Sequence, residues 1–135
     1  MTLEIEEKVL AAILEHGRRE MPNEACGYLA AKNGVVGCHL ELTNQDAAPD
    51  HFTMDPAEQF AAMRKMREEG LQMAAVYHTH PETPARPSEE DIRLAHDPAM
   101  VYVIVSLLTG VEPIRAFRIN RGEVSEVPIR VLAER

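Results

Sequence analysis

Apolar positions recur along this chain with two different periods, and the alternation between them outlines its elements. Over residues 4–18, Ile5, Val9, Ala12, Ile13 and Gly17 fall near one helical face, with Glu6, Glu7, Lys8 and Glu15 elsewhere. That spacing predicts an amphipathic helix packed on something flat. "EACGYLAAKNGVVGCHLEL" follows as two strands joined at Asn33-Gly34, a strong hairpin signal. "TNQDAAPDHFTMDP" is polar and longer than most connections in a compact domain, as functional loops often are. A second helix opens at Asp55-Pro56, with Asp as N-cap and Pro at the first helical position, and runs to a C-capping Gly70. Its stripe of Phe60, Met63 and Met66 is expected to pack into the core.

Leu71 to Tyr77 is a continuous apolar run, the pattern of a central strand covered on both faces. Residues 88–96 form a short helix stopped by Asp97-Pro98, and "VYVIVSLL" is another central strand. "IRAFRI" and "EVSEVPIRV" flank Asn120-Arg121-Gly122 as a closing hairpin. The predicted order, αββαβαβββ, implies a mixed β-sheet flanked by helices, in the α/β or α+β class. No repeat or linker interrupts the 135 residues, which suit a single domain spanning 1–135.

Composition narrows the partners. At 45% hydrophobic residues the chain can bury a core unaided, and a net charge of −8 offers no basic surface to nucleic acid or anionic lipid. The N-terminal stretch is amphipathic and acidic, and no other run approaches about 18 apolar residues, so the expected location is cytoplasmic. Cys26 and Cys38 are too few for a disulfide framework, and their spacing of twelve is not that of a zinc knuckle. Both read as small core residues, with a role for Cys26 near a site left open. His16, His39, His51 and His96 show no partner pattern, although His51 lies in the long loop.

The chemistry concentrates in "YHTHPETPARPSEED". Side chains alternate faces along a strand, so His78 and His80 project to one side, close enough to share one cation, while Tyr77 and Thr79 project to the other. Pro81 ends the ladder and opens the histidine end of the strand to a loop. Asp91, on the first turn of the short helix, can complete a His-His-Asp set, and three protein ligands with a fourth position open is the arrangement of catalytic zinc. Ser88-x-x-Asp91 is equally a capping box, in which Ser88 caps the helix and Asp91 reaches back to the cap's amide. A hydrolytic site also needs a base. Glu24 leads an otherwise apolar strand, and is either at an exposed strand end or held there for a purpose.

Taken together, "PNEACGYL", "HTHP" and "PSEED" resemble the JAMM motif of the JAB/MPN metallopeptidases. That motif is an upstream glutamate, His-Ser/Thr-His-Pro, seven residues after the second histidine, and Ser-x-x-Asp. Here the seven are Pro81 to Pro87. The opening helix, the Gly-Tyr-Leu strand, "DPAEQ", "VYVIVSL" and the terminal hairpin extend the likeness to short stand-alone prokaryotic members.

The resemblance implies a cytidine-deaminase-like architecture and one Zn2+ per chain held by His78, His80 and Asp91. It implies Glu24 as general acid/base, Ser88 as hydrogen-bond donor to the oxyanion, and a structural Thr79. It further implies hydrolysis of the bond after the Gly-Gly tail of a ubiquitin-like sulfur-carrier protein, by release of a C-terminal cysteine or by trimming of an extension. A Gly-Gly tail without side chains can enter a narrow groove as an extended strand, beside a sheet edge or the 44–55 loop. The same fold could instead bind such a partner without cutting it, but no motif position is substituted. The RadC-like group, with Asn-His-Pro-Ser-Gly after its first histidine, differs from "HTHPET". An exposed sheet edge would permit a homodimer.

Overall fold

The computed structural model describes residues 1–133. Its elements are β1 (Leu3–Glu6), α1 (Glu7–Glu20), β2 (Cys26–Lys32), β3 (Val35–Leu42), α2 (Pro56–Glu68), β4 (Gln72–His80), α3 (Glu89–Leu94), β5 (Tyr102–Ser106), β6 (Ile114–Asn120), β7 (Glu123–Val127) and β8 (Ile129–Leu132). All eight strands belong to one mixed sheet, in the order β7-β6-β5-β4-β2-β3-β1-β8. The α/β class and the helix-flanked mixed sheet are as the hydrophobic pattern implies. Among the described residues, no helix is long and apolar enough to cross a membrane.

Two boundaries differ from the pattern. The first residues of the predicted opening helix are β1, which pairs in parallel with both β3 and β8. Leu3 and Ile5 are buried and alternate with less buried neighbours, so the apolar positions 5, 9 and 13 satisfy a strand followed by a helix as well as one long helix. "EVSEVPIRV" is two strands. Proline has no N–H to donate to a ladder, so the chain leaves the β6–β7 hairpin at Pro128 and continues as β8 beside β1. The Pro128 carbonyl accepts a 2.8 Å bond from the Leu3 amide. Strands β7 and β8 are thus consecutive in the chain and terminal in the sheet, which must curl until its ends meet at one proline.

The curled sheet buries residues on both faces. Val9 and Ile13 of α1 pack with Ile5, Leu29, Val36, Ala75, Tyr77, Val103 and Val105 on one face. Ala62 and Met66 of α2 pack with Cys26, Tyr28, Ala30 and Leu42 on the other. The stripe expected on α2 is corrected: Phe60 is 66% and Met63 46% exposed, and the inward face runs through Gln59, Ala62 and Met66. Spacings of three and four on a helix admit either stripe, and the Tyr28 hydroxyl selects this one by accepting a 2.8 Å bond from Gln59 Nε2. Asp55 caps α2 by accepting from the Ala57 amide at 2.9 Å, as its position predicts.

β4 occupies the middle of the sheet, antiparallel to β2 and parallel to β5. The close approach of β2 to its neighbours β3 and β4 depends on Gly27, where an added Cβ would collide with the Leu40 carbonyl oxygen and stand 2.6 Å from the Tyr77 ring. Since Tyr77 is fully buried and cannot retreat, Gly27→Ala is expected to cost about 2 kcal/mol through overpacking, read as a lower urea midpoint with an unchanged slope.

Candidate metal centre

The alternation of β4 places His78 and His80 on the α2 side of the sheet, at the strand's C-terminal end. Both rings are buried, at 3% and 4% exposure. Between them and α3 runs "PETPARP", pinned from three points. Ala85 is buried against Ile104 and Phe117, Ser106 Oγ donates to the Thr83 carbonyl at 2.7 Å, and the Leu107 amide donates to the His80 carbonyl at 3.1 Å. The pinned loop brings the first turn of α3 back over the histidines.

There Asp91 Oδ2 stands 3.2 Å from His78 Nε2 and 3.2 Å from His80 Nε2, and the two nitrogens are 3.1 Å apart. Nitrogen and oxygen ligands about 2.0–2.1 Å from a tetrahedral zinc ion lie about 3.3–3.4 Å from one another. The observed triangle nearly matches one face of that tetrahedron, and the donor set of two imidazoles and a carboxylate suits a divalent ion. His80 Nδ1 donates to the Pro84 carbonyl at 3.0 Å, so the neutral ring presents its lone pair at Nε2, toward the shared point. The Phe52 ring stacks on His78 with centroids 4.9 Å apart.

Ser88 and Asp91 form the capping box. Ser88 Oγ accepts from the Asp91 amide at 3.0 Å, and the Ser88 amide donates to Asp91 Oδ2 at 2.9 Å. The box and the triangle therefore share one carboxylate oxygen, and the two readings of Ser-x-x-Asp do not compete. The exposed Ser88 hydroxyl keeps its own proton to donate.

Glu24 lies in the segment just before β2 and is only 4% exposed. Ala25 is tied to β4 twice: its amide donates to Thr79 Oγ1 at 2.8 Å, and its carbonyl accepts from the Thr79 amide at 3.0 Å. Thr79 thus points away from the histidines and holds the segment that carries Glu24. Among the described residues, none hydrogen-bonds the Glu24 carboxyl. Burial pushes its pKa up to about 8, with neighbouring His80 pulling the other way and Asp91 adding to the rise.

Burial also works to raise Asp91, but bonds from His78, His80 and the Ser88 amide outweigh it and hold the carboxyl well below the usual carboxylate range. Burial works to lower His80, and is outweighed by Asp91, the Pro84 carbonyl and Glu24, so His80 sits above the ordinary histidine value.

Beside the triangle opens a recess of about 510 Å³, lined by His78 and Asp91 and by Tyr28, Phe52, Met54, Leu94, Tyr102 and Ile104. Phe52 is the participant that sequence patterning does not single out. Its only signal is an aromatic residue inside an otherwise polar loop. Of the other histidines, His96 lines the recess, whereas His16 Nδ1 lies 2.7 Å from the Tyr77 hydroxyl, His39 pairs with Glu41, and His51 with Asp46. Cys26 is fully buried and its thiol is pushed up to about 12 by burial, as befits a core residue.

Residues 6–120 match the family model described as prokaryotic homologs of the JAB domain. The chain is 34% identical over 135 residues to a CysO-cysteine peptidase of Mycobacterium tuberculosis, covering 98% of this chain and 92% of that one. It is 32% identical over 118 residues to a probable TtuB-protein conjugate cleaving protease of Thermus thermophilus, covering 87% and 74%. A solution structure of a Desulfitobacterium hafniense protein superposes with a TM-score of 0.88 at 40% identity, covering 97% and 93% of the two chains. A JAB1/MPN domain protein of Archaeoglobus fulgidus shares the fold, with a TM-score of 0.65 at 21% identity over 96% and 98%.

The two opposed shifts set a pH window for the metal-free protein. Asp91, depressed when folded, stabilises above its unfolded value of 3.8 and loses that contribution as pH falls. His80, raised when folded, stabilises below its unfolded value of 6.5 and loses that contribution as pH rises through its folded value. Chelator-treated protein should therefore show a stability maximum between these values in denaturant titrations. Glu24, raised when folded, steepens the loss above its unfolded value of 4.5, and Asp91→Asn should remove the fall on the acid side.

Proposed function

The chain belongs to the family of prokaryotic homologues of the JAB domain, and on that premise we propose that it is a zinc-dependent peptidase or isopeptidase. Its proposed substrate is the bond after the C-terminal Gly-Gly tail of a ubiquitin-like sulfur-carrier protein. The observation that carries the reading is the triangle of His78 Nε2, His80 Nε2 and Asp91 Oδ2, with buried Glu24 held beside it.

His78, His80 and Asp91 hold the ion. Bound there, zinc supplies a Lewis acid and lowers the pKa of water to about 7. Glu24 takes the proton from the attacking water and returns it to the departing amine. Burial strengthens that carboxyl as a proton acceptor in the metal-free protein, the direction that a general base requires. The Ser88 hydroxyl, its oxygen already engaged with the Asp91 amide, directs its proton to the oxyanion. The apolar recess between Phe52 and Tyr102 accepts an extended tail, and glycines at the cleavage point let its backbone approach the buried triangle. The names of the two relatives, one a peptidase for a cysteine adduct and one a protease for a protein conjugate, support cleavage at a carrier's end and leave either leaving group admissible.

Incubating zinc-loaded protein with Gly-Gly-ended carriers, with and without C-terminal extensions, and weighing the products tests the reading. Truncation at the diglycine is expected, Glu24→Gln should abolish it while retaining about one zinc per chain, and a metal content far below that would refute the proposal. Ser88→Ala is expected to cost about 1 kcal/mol of stability as a lost cap. It should also slow turnover by roughly 100-fold as a lost oxyanion donor, so near-normal turnover would leave Ser88 as a cap alone.

A further inference from the structure

The loop from Thr43 to Asp55 contains no regular element, yet it presents Phe52 to His78 and borders Glu24. One side-chain amide organises it. Asn44 Nδ2 donates to the Glu24 carbonyl at 3.1 Å and to the His51 carbonyl at 3.0 Å, with a longer 3.5 Å approach to the Ala48 carbonyl. Asn44 Oδ1 accepts from the amides of Asp46 and Thr53, at 3.1 and 3.2 Å. The Glu24 amide in turn donates to the Ala48 carbonyl at 2.9 Å.

We propose that Asn44 is a positioning residue for Glu24, clamping the segment before β2 to the loop that carries Phe52. The chemistry requires this side chain. Aspartate has the acceptor but no donor, alanine has neither, and glutamine is one methylene too long for the same carbonyls. The peptide group between Glu24 and Ala25 is held at both ends, its N–H by Thr79 Oγ1 and its carbonyl by Asn44, while the Ala48 carbonyl holds the Glu24 N–H. Since no described residue hydrogen-bonds its carboxyl, Glu24 owes its placement to this backbone. A displacement of about 1 Å in a reacting group costs on the order of 100-fold in rate. The inference rests on the reading of Glu24 as the acid/base, and its test separates the two.

In zinc-loaded protein, Asn44→Asp keeps the acceptor toward Asp46 and Thr53 and removes the donor to Glu24, while Asn44→Ala removes both. Both should lower kcat by about 10- to 100-fold, leave KM within about twofold and retain about one zinc per chain. Amide hydrogen exchange at Glu24 and Ala25, followed by NMR, should accelerate in both. Thr43→Ala is the control: it breaks the 2.9 Å bond from Thr43 Oγ1 to Glu58 at the base of the same loop and touches neither Glu24 nor the triangle. It should lower the melting temperature without lowering kcat. Unchanged kcat in the Asn44 variants, or an equal fall in Thr43→Ala, overturns the proposal. If the parent protein cleaves no carrier, the functional reading fails, and exchange at Glu24 alone decides the clamp: acceleration in Asn44→Asp supports it and parent-like protection refutes it. Should Asn44→Ala not fold, the near-isosteric aspartate variant carries the test.

Discussion

A half-buried carboxylate shared by two buried imidazoles is the constraint around which this structure is arranged. Ionisable groups taken out of water are costly unless each is compensated, and here three of them meet within 3.2 Å. Asp91 and His80 are driven toward their charged forms by each other, against burial that opposes both. A divalent cation is the natural occupant of such a point, because it satisfies all three donors at once and removes the need for a proton among them. The capping box adds the Ser88 amide to the same oxygen, so the start of α3 and the triangle are one structure.

Everything that fixes the triangle comes from different parts of the sheet. β4 contributes the two rings through strand parity, and β5 holds the returning loop through Ser106 and Leu107. The segment entering β2 contributes Glu24, secured by Thr79 from the opposite face of β4. That opposite face is tightly filled. Gly17 of α1 sits where even a Cβ would be 2.8 Å from the Thr79 methyl, so α1 can lie against Thr79 only as a bare backbone. The central strand therefore transmits packing from α1 to the Glu24 side of the triangle, while its other face carries the two imidazoles.

Several features of the site were legible along the chain because they are local. His-x-His at a strand end is a statement about period two, and Ser-x-x-Asp is a statement about the first turn of a helix. The turns at Asn33-Gly34 and Arg121-Gly122, with Asn33, Gly34, Arg121 and Gly122 all at positive φ, are equally local. The misread elements share the opposite character. The β1 residues satisfy helix spacing, and only two parallel partners from distant parts of the chain make them a strand. The α2 stripe was ambiguous between adjacent faces until Tyr28 and the core beneath it selected one.

The sequence by itself determined which side chains could hold an ion, the parity that aims two of them together, the cap that starts α3, and the family likeness carried by their spacing. It also limited the fold to a mixed sheet with helices, since periodicity is a property of neighbouring residues. Tertiary structure alone decided that the sheet curls until β7 and β8 meet at Pro128, that Glu24 is buried with a raised proton affinity, that Phe52 stacks on His78, and that Asn44 bonds the Glu24 carbonyl. Those outcomes depend on groups tens of residues apart, whose approach is set by the packing of the whole sheet and leaves no periodic trace in the chain.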